Sequence, residues 1–175
     1  MTANGRPGTP WAVIDVPERF SSIDGWVIFD EDPRGGGGVG YWTISEVVPD
    51  PCGDSSPVAV GRRVEDVVAG LRRQQRTRTP EPVPVEVDGY RGLSLELRVP
   101  EGVDFTTCRD YNLWESDPGG ARHMSAPGEF DRLWVLDVED KVVVLTVTAN
   151  TGVPEAALQR LTAMVESAEF VPRDA

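Results

Sequence analysis

Three glycines, Gly35, Gly37 and Gly40, stand at the spacing G-x-G-x-x-G inside the stretch PRGGGGVGYW. In a dinucleotide site such glycines end a strand and open a helix, whose N-terminal amides and dipole hold the pyrophosphate. Here the residues that follow, VGYWTISEVV, alternate as a strand. A P-loop reading fails as well, because Tyr41-Trp42 stands where lysine and serine or threonine must be. The spacing is therefore expected to mark a hairpin loop between two aromatic strands, where glycine supplies positive φ at little steric cost.

The other chemistry-bearing residues are sparse. His123 is the only histidine and no serine sits in G-x-S-x-G, so a Ser-His-Asp hydrolase lacks its signature. Cys52 in DPCGD and Cys108 in FTTCRD belong to no C-x-x-C and to no cysteine-histidine cluster, which removes the spacing of a structural zinc site. A catalytic cysteine would need His123 beside it in space. Asp30-Glu31-Asp32 and the run from Asp137 to Asp140 group carboxylates at expected turns, where solvated side chains are the simpler account than a general acid and base. The first run also lacks the oxygen spacing and closing glutamate of an EF-hand. No catalytic residue, metal or cofactor is expected.

Aromatic residues give the sharper candidate. Trp42, Trp114 and Trp134 lie on expected strands and either pack in the core or line an open groove with Tyr41, Tyr111, Arg132 and His123. Such a groove would suit an apolar or carbohydrate-like ligand.

The elements that must position these residues are legible from periodicity. Strands are expected over 11–16, 25–30 and 39–48, the last with Tyr41, Thr43, Ser45 and Val47 on one side and Trp42, Ile44, Glu46 and Val48 on the other. Val64, Val67, Val68 and Leu71 recur at helical spacing inside an expected helix over 60–75. Residues 83–87 and 90–99 form a hairpin about Asp88-Gly89, and 111–115 is a short strand. Residues 116–129 are expected to be a mobile connection. A second hairpin over 130–138 and 141–149 turns at Glu139-Asp140, and the near-continuous apolar run 142–147 suits a central strand covered on both faces. A final helix starts about Pro154 and buries Ala157, Leu158, Leu161, Met164, Val165 and Ala168. The sum is an α+β single domain: an antiparallel sheet with one inserted helix and one C-terminal helix packed on it, over 11–172, between a flexible segment 1–10 and a tail 173–175.

Composition restricts the partners. The 175 residues suffice for one core, and a net charge of -12 opposes nonspecific binding to nucleic acid or anionic lipid. The one basic run, Arg62, Arg63, Arg72, Arg73, Arg76 and Arg78, has no interleaved aromatic residue and reads as a solvated helix face. No stretch approaches the roughly 20 apolar residues of a membrane span, and residues 1–10 do not resemble a signal peptide. A monomer is expected. For the cysteines a disulfide is favoured over two free thiols, which tilts the compartment toward the oxidising outside of the cell.

The order of elements resembles the Mog1/PsbP-like α/β/α sandwich, and more closely actinobacterial extracytoplasmic or lipoprotein domains of that kind. The residues that carry the resemblance are GWVIFD, VGYWTISEVVPDPC, VDGYRGLSLELRVPEGVDFTTC, DRLWVLDVEDKVVVLTV and LQRLTAMVESAEF. The resemblance implies a two-cysteine, non-enzymatic envelope module and supplies no catalytic residue. The leading expectation is thus a non-catalytic binding or interaction module of the cell envelope, with a protein or envelope component as partner. This holds if the chain is a domain of an anchored protein. A cytoplasmic acidic protein of the immunity or regulatory sort, covering a basic target, is the alternative, and a small hydrolase the third.

Overall fold

The computed structural model describes residues 2–3, 10–18, 20–23, 27–30, 37–108, 110–116 and 120–171. In chain order the elements are β1 (Thr2–Ala3), β2 (Trp11–Val13), β3 (Phe20–Ile23), β4 (Val27–Asp30), β5 (Gly37–Trp42), β6 (Ile44–Val47), β7 (Val58–Ala59), α1 (Val64–Arg72), β8 (Val83–Val87) and β9 (Tyr90–Arg98). They continue with β10 (Tyr111–Ser116), β11 (Ala121–Met124), β12 (Phe130–Val138), β13 (Lys141–Ala149), α2 (Glu155–Glu166) and β14 (Glu169–Val171).

A seven-stranded antiparallel sheet, in the order β3-β4-β5-β13-β12-β9-β8, divides two cores. Successive side chains on a strand point to opposite faces. Trp134, Leu136 and Val138 with Val143, Leu145 and Val147 therefore meet α2 through Leu161, Met164 and Val165. Their neighbours Leu133, Val135 and Val144 face α1 through Val67, Val68 and Leu71. The expected central strand is thus β13, covered on both faces. A second sheet, β11-β10-β6-β7, shares the α1 side, and a third, β1-β2-β14, ties the chain ends together. The observed fold is an α+β domain, mostly antiparallel sheet, with one helix inserted and one near the C-terminus.

Both tight hairpins form at the expected residues. Asp88 and Gly89 have φ of 50° and 77°, and Glu139 and Asp140 have 51° and 62°. Positive φ at both central positions matches the right-handed twist of the flanking strands.

The glycines at G-x-G-x-x-G resolve differently from the expected positive-φ loop: Gly37 and Gly40 are strand residues of β5, and neither has positive φ. Gly35 lies outside the described residues, as do Glu31 and Asp32. β4 and β5, on either side of the gap, pair antiparallel, with Val27 opposite Gly40 and Phe29 opposite Gly38. Gly37 and Gly40 sit in β5 because neighbours occupy the place of a side chain. A Cβ at Gly37 would stand 2.7 Å from Leu161 Cδ1 of α2, and one at Gly40 would stand 2.5 Å from the Trp42 indole nitrogen.

Several boundaries differ from expectation. The strand expected over 39–48 breaks at Thr43, and its halves join different sheets: β5 pairs with β13, and β6 pairs with β10. Alternation continues across the break, so Trp42 and Ile44 share the α1-side core while Tyr41 faces α2; it slips only after Ile44, where a register shift against β10 turns Val47 rather than Glu46 into that core. The first helix is shorter than 60–75. It starts after Arg63, which is extended, and stops before Gln74, whose side chain is drawn into tertiary hydrogen bonds. Only 11–13 of the expected 11–16 strand pairs as one, and β3 occupies residues read as loop. Within the first ten residues, expected to be flexible, Thr2–Ala3 pairs with β2. The connection 116–129, expected to be mobile, contains β11.

Candidate functional site

The seven residues of the aromatic candidate do not line one groove. Tyr41 and Trp134 are buried in the α2-side core, whereas Trp42, Tyr111 and Trp114 are buried in the α1-side core. Strand alternation is the reason: Tyr41 and Trp42 are consecutive and must point to opposite faces. On the α1 side Trp42 and Trp114 do meet, edge to face, with ring centroids 5.6 Å apart, and Trp42 Nε1 donates to Thr146 Oγ1 at 3.1 Å. The Tyr41 hydroxyl donates to Pro10 O at 2.7 Å. Arg132 is partly exposed and lies 3.6 Å from Glu96. His123 is exposed on β11. Of the two alternatives for the aromatic residues, core packing holds, in two separate cores, and the shared groove is corrected.

The cysteines do come together. Cys52 and Cys108 form a disulfide with Cα atoms 4.7 Å apart, closing a chain separation of 56 residues. Each half is partly buried against the α1-side core. The bridge joins the loop after β6 to the loop before β10, and both loops are held by further contacts. In the first, Cys52 N donates to Asp50 Oδ1 at 3.2 Å and Gly53 N to Asp50 O at 3.1 Å, a turn built by an aspartate on its own backbone. Asp50 also receives Arg76 Nε at 3.0 Å. In the second, Asp104 accepts Thr106 N at 2.9 Å and Thr106 Oγ1 at 2.7 Å, which holds its carboxyl below the ordinary value. Asn112 N, at the start of β10, donates to Pro51 O at 3.1 Å and so ties that strand to the Cys52 loop. Behind them Gln74 Nε2 donates to Val48 O at 2.9 Å and to Leu113 O at 2.6 Å. The Tyr111 hydroxyl donates to Arg76 O, and burial pushes this phenol above its ordinary pKa.

Between these loops lies an open cleft of about 300 Å³. Val48, Pro51 and Pro57 form its apolar wall. Asp54 and Ser55 enter from the Cys52 loop, Asp110 and Asn112 from the approach to β10, and His123 from β11. Serine, histidine and aspartate thus share one cleft, the residue types of a hydrolytic triad. The serine is engaged elsewhere: Ser55 Oγ donates to Asp50 O at 3.1 Å and accepts Asp50 N at 2.9 Å. A nucleophile needs its hydroxyl proton directed at a base, and this one is directed into its own turn. Among the described residues, no three or more His, Cys, Asp or Glu side chains are grouped to hold a metal ion. Among the described residues, no helix is long and apolar enough to cross a membrane.

Beneath β11 is a buried charge network that sequence reasoning missed. The Arg122 side chain is 13% exposed and reaches Asp131, which is 0% exposed, through Nε at 2.8 Å and Nη2 at 2.8 Å. Nη2 also donates to Glu129 Oε1 at 2.9 Å, and the guanidinium reaches His123 O. Thr148 Oγ1 donates to Asp131 at 2.6 Å, and Glu129 Oε2 accepts Ser125 N at 2.6 Å. Burial alone would lower the Arg122 pKa, but the charges and hydrogen bonds of Asp131 and Glu129 outweigh it and hold the group above its ordinary value. The network pins β11, and with it His123, to β12 and β13. Its only sequence signal was an arginine in a Gly/Pro-rich segment, followed by acids at the start of a strand.

No family model matches the chain, and no curated protein matches it.

Proposed function

We propose that this chain is a non-catalytic binding or interaction module of the cell envelope, similar in kind to the Mog1/PsbP-like sandwiches, with the disulfide-framed cleft as its recognition face. The observation that carries this reading is the position of the bridge. Cys52 and Cys108 lie in the two loops that wall the cleft, and Pro51, Gly53 and Asp110 flank it within two residues of one or the other cysteine. Holding a recognition loop in one shape before binding lowers the entropy lost when a ligand docks. A disulfide serves that end durably where the compartment is oxidising. The Arg122 network supports the same reading, because it fixes the strand that carries the third wall.

Thiol titration of the denatured, unreduced protein from its native host tests the compartment. Zero reactive thiols are expected, and two per chain would refute export. The second reading, a cytoplasmic acidic interaction protein, draws its support from the net charge of -12 and would take over on that result.

A further inference from the structure

The sheet β11-β10-β6-β7 has a core face and an outer face, and strand register assigns residues to each. Trp114, Val47, Tyr111 and Met124 point into the α1-side core. The alternate positions form the outer face: Asn112 opposite His123, Glu115 opposite Ala121, Glu115 opposite Glu46, and Glu46 opposite Ala59. Two glutamates are therefore direct cross-strand neighbours, a pairing in which like charges repel and the free protein loses stability. Among the described residues neither is in a salt bridge.

This face runs into the cleft without a break, since Asn112 and His123 belong to both. Asn112 Nδ2 donates to Glu115 Oε1 at 2.6 Å, which leaves Asn112 Oδ1 buried and without a donor. Asp54 and Asp110 follow on the cleft wall. Four arginines of the surrounding elements have other carboxylates: Arg63 pairs with Asp66, Arg72 with Glu81, Arg76 with Asp50, and Arg122 beneath the sheet with Asp131. The result is a sheet face rich in acceptors, poor in donors and self-repelling, opening onto a cavity beside a rigid loop.

We infer that this face and cleft together dock a basic polypeptide segment, with one lysine or arginine between Glu46 and Glu115 and another entering the cleft toward Asp54 and Asp110. The inference rests on the chain being a binding module but not on its compartment. A cation between Glu46 and Glu115 removes the repulsion of the free state, and a second in the cleft meets the carboxylates of Asp54 and Asp110, so one partner answers both groups of charge. Two separated acceptor groups favour cations carried on one chain, where the second contact forms at high effective concentration.

The test is fluorescence titration with a labelled decapeptide of alternating lysine and glycine, at low and at physiological salt. The protein should bind it with an affinity that falls as salt rises, and Glu46→Gln/Glu115→Gln should weaken binding by about tenfold. The control Glu139→Gln/Asp140→Asn removes the same charge at the β12–β13 turn and should change binding by less than about twofold. Equal weakening by both double variants, or no binding to the unaltered protein, overturns the inference. As a readout that needs no variant, zero-length carbodiimide cross-linking should join the peptide to Glu46, Glu115, Asp54 or Asp110. Cross-links spread over Glu139, Glu155 and Glu166 would count against it. The melting temperature of Glu46→Gln/Glu115→Gln should equal or exceed that of the unaltered protein, since a repulsion is removed; a lower value with lost cross-linking also overturns the proposal. These results are independent of thiol titration, so failure of the docking face and failure of the envelope reading are told apart.

Discussion

On one side of the large sheet, α2 lays Leu161, Met164 and Val165 over Val143, Leu145 and Val147, an apolar contact. On the other side, α1 lays Val67, Val68 and Leu71 over Leu133, Val135 and Val144, but the cover continues into a small sheet held by polar and covalent ties. Gln74 bridges two backbone carbonyls there, Arg122 is buried among two carboxylates, and Cys52 is bonded to Cys108. Apolar burial is nondirectional and tolerates small shifts, at about 1.5–3 kcal/mol for each large side chain. Hydrogen-bonded charges and a disulfide fix particular atoms, and leaving one partner buried alone is costly. The α2 side has directional ties of its own, such as the Tyr41 hydroxyl on Pro10 O and Phe170 N on Asp88, but the buried ion pairs and the disulfide lie on the side that must hold a cleft in shape.

That contrast can be broken from either end. The largest loss is expected for Cys52→Ser/Cys108→Ser, about 4 kcal/mol on the chain-entropy account of a loop this long, measured by urea unfolding of the oxidised protein against the variant. Native-state hydrogen exchange should show the extra opening concentrated in residues 50–57 and 104–112. If protection falls evenly over both sides of the sheet, the bridge is a general staple rather than a cleft frame. Arg122→Ala should follow at about 3 kcal/mol, because Asp131 is left buried without its cation; exchange should rise first along β11, while the α2 side stays protected. Leu161→Ala on the opposite side should cost about 2–3 kcal/mol through lost burial and a residual cavity. It should leave binding of the lysine peptide unchanged, and a loss of peptide affinity in that variant would show the two sides to be coupled.

How much of this was legible in the sequence depended on the range of the forces involved. The two-residue turns at Asp88-Gly89 and Glu139-Asp140, the apolar run of β13 and the stripe of α2 are local patterns, and each formed where periodicity put it. The stripe of α1 was equally plain, but its ends were not. Gln74 leaves the helix to bond Val48 and Leu113, partners far away along the chain, and no local signal records that. The break at Thr43 was invisible for the same reason, since alternation continues across it while the strand changes sheets. β11 was hidden because a Gly/Pro-rich composition suggests loop, whereas Arg122 there is ordered by Glu129, Asp131 and Thr148. Of the candidate site, the cysteine pair was legible, and His123 was noted for the wrong set of neighbours.

By itself the sequence determined the α+β class, the two amphipathic helices, the hairpins and the failure of the glycine pattern as a phosphate site, because side-chain periodicity and turn stereochemistry act over a few residues. Only the tertiary structure decided that Trp42 and Trp114 pack in one core and Trp134 in the other, that Glu46 and Glu115 stand opposite one another, and that a bonded cysteine pair frames a cleft with Asp54, Asp110 and His123. Those placements depend on strand register and on which sheet each strand joins, and both are settled by packing between residues tens of positions apart.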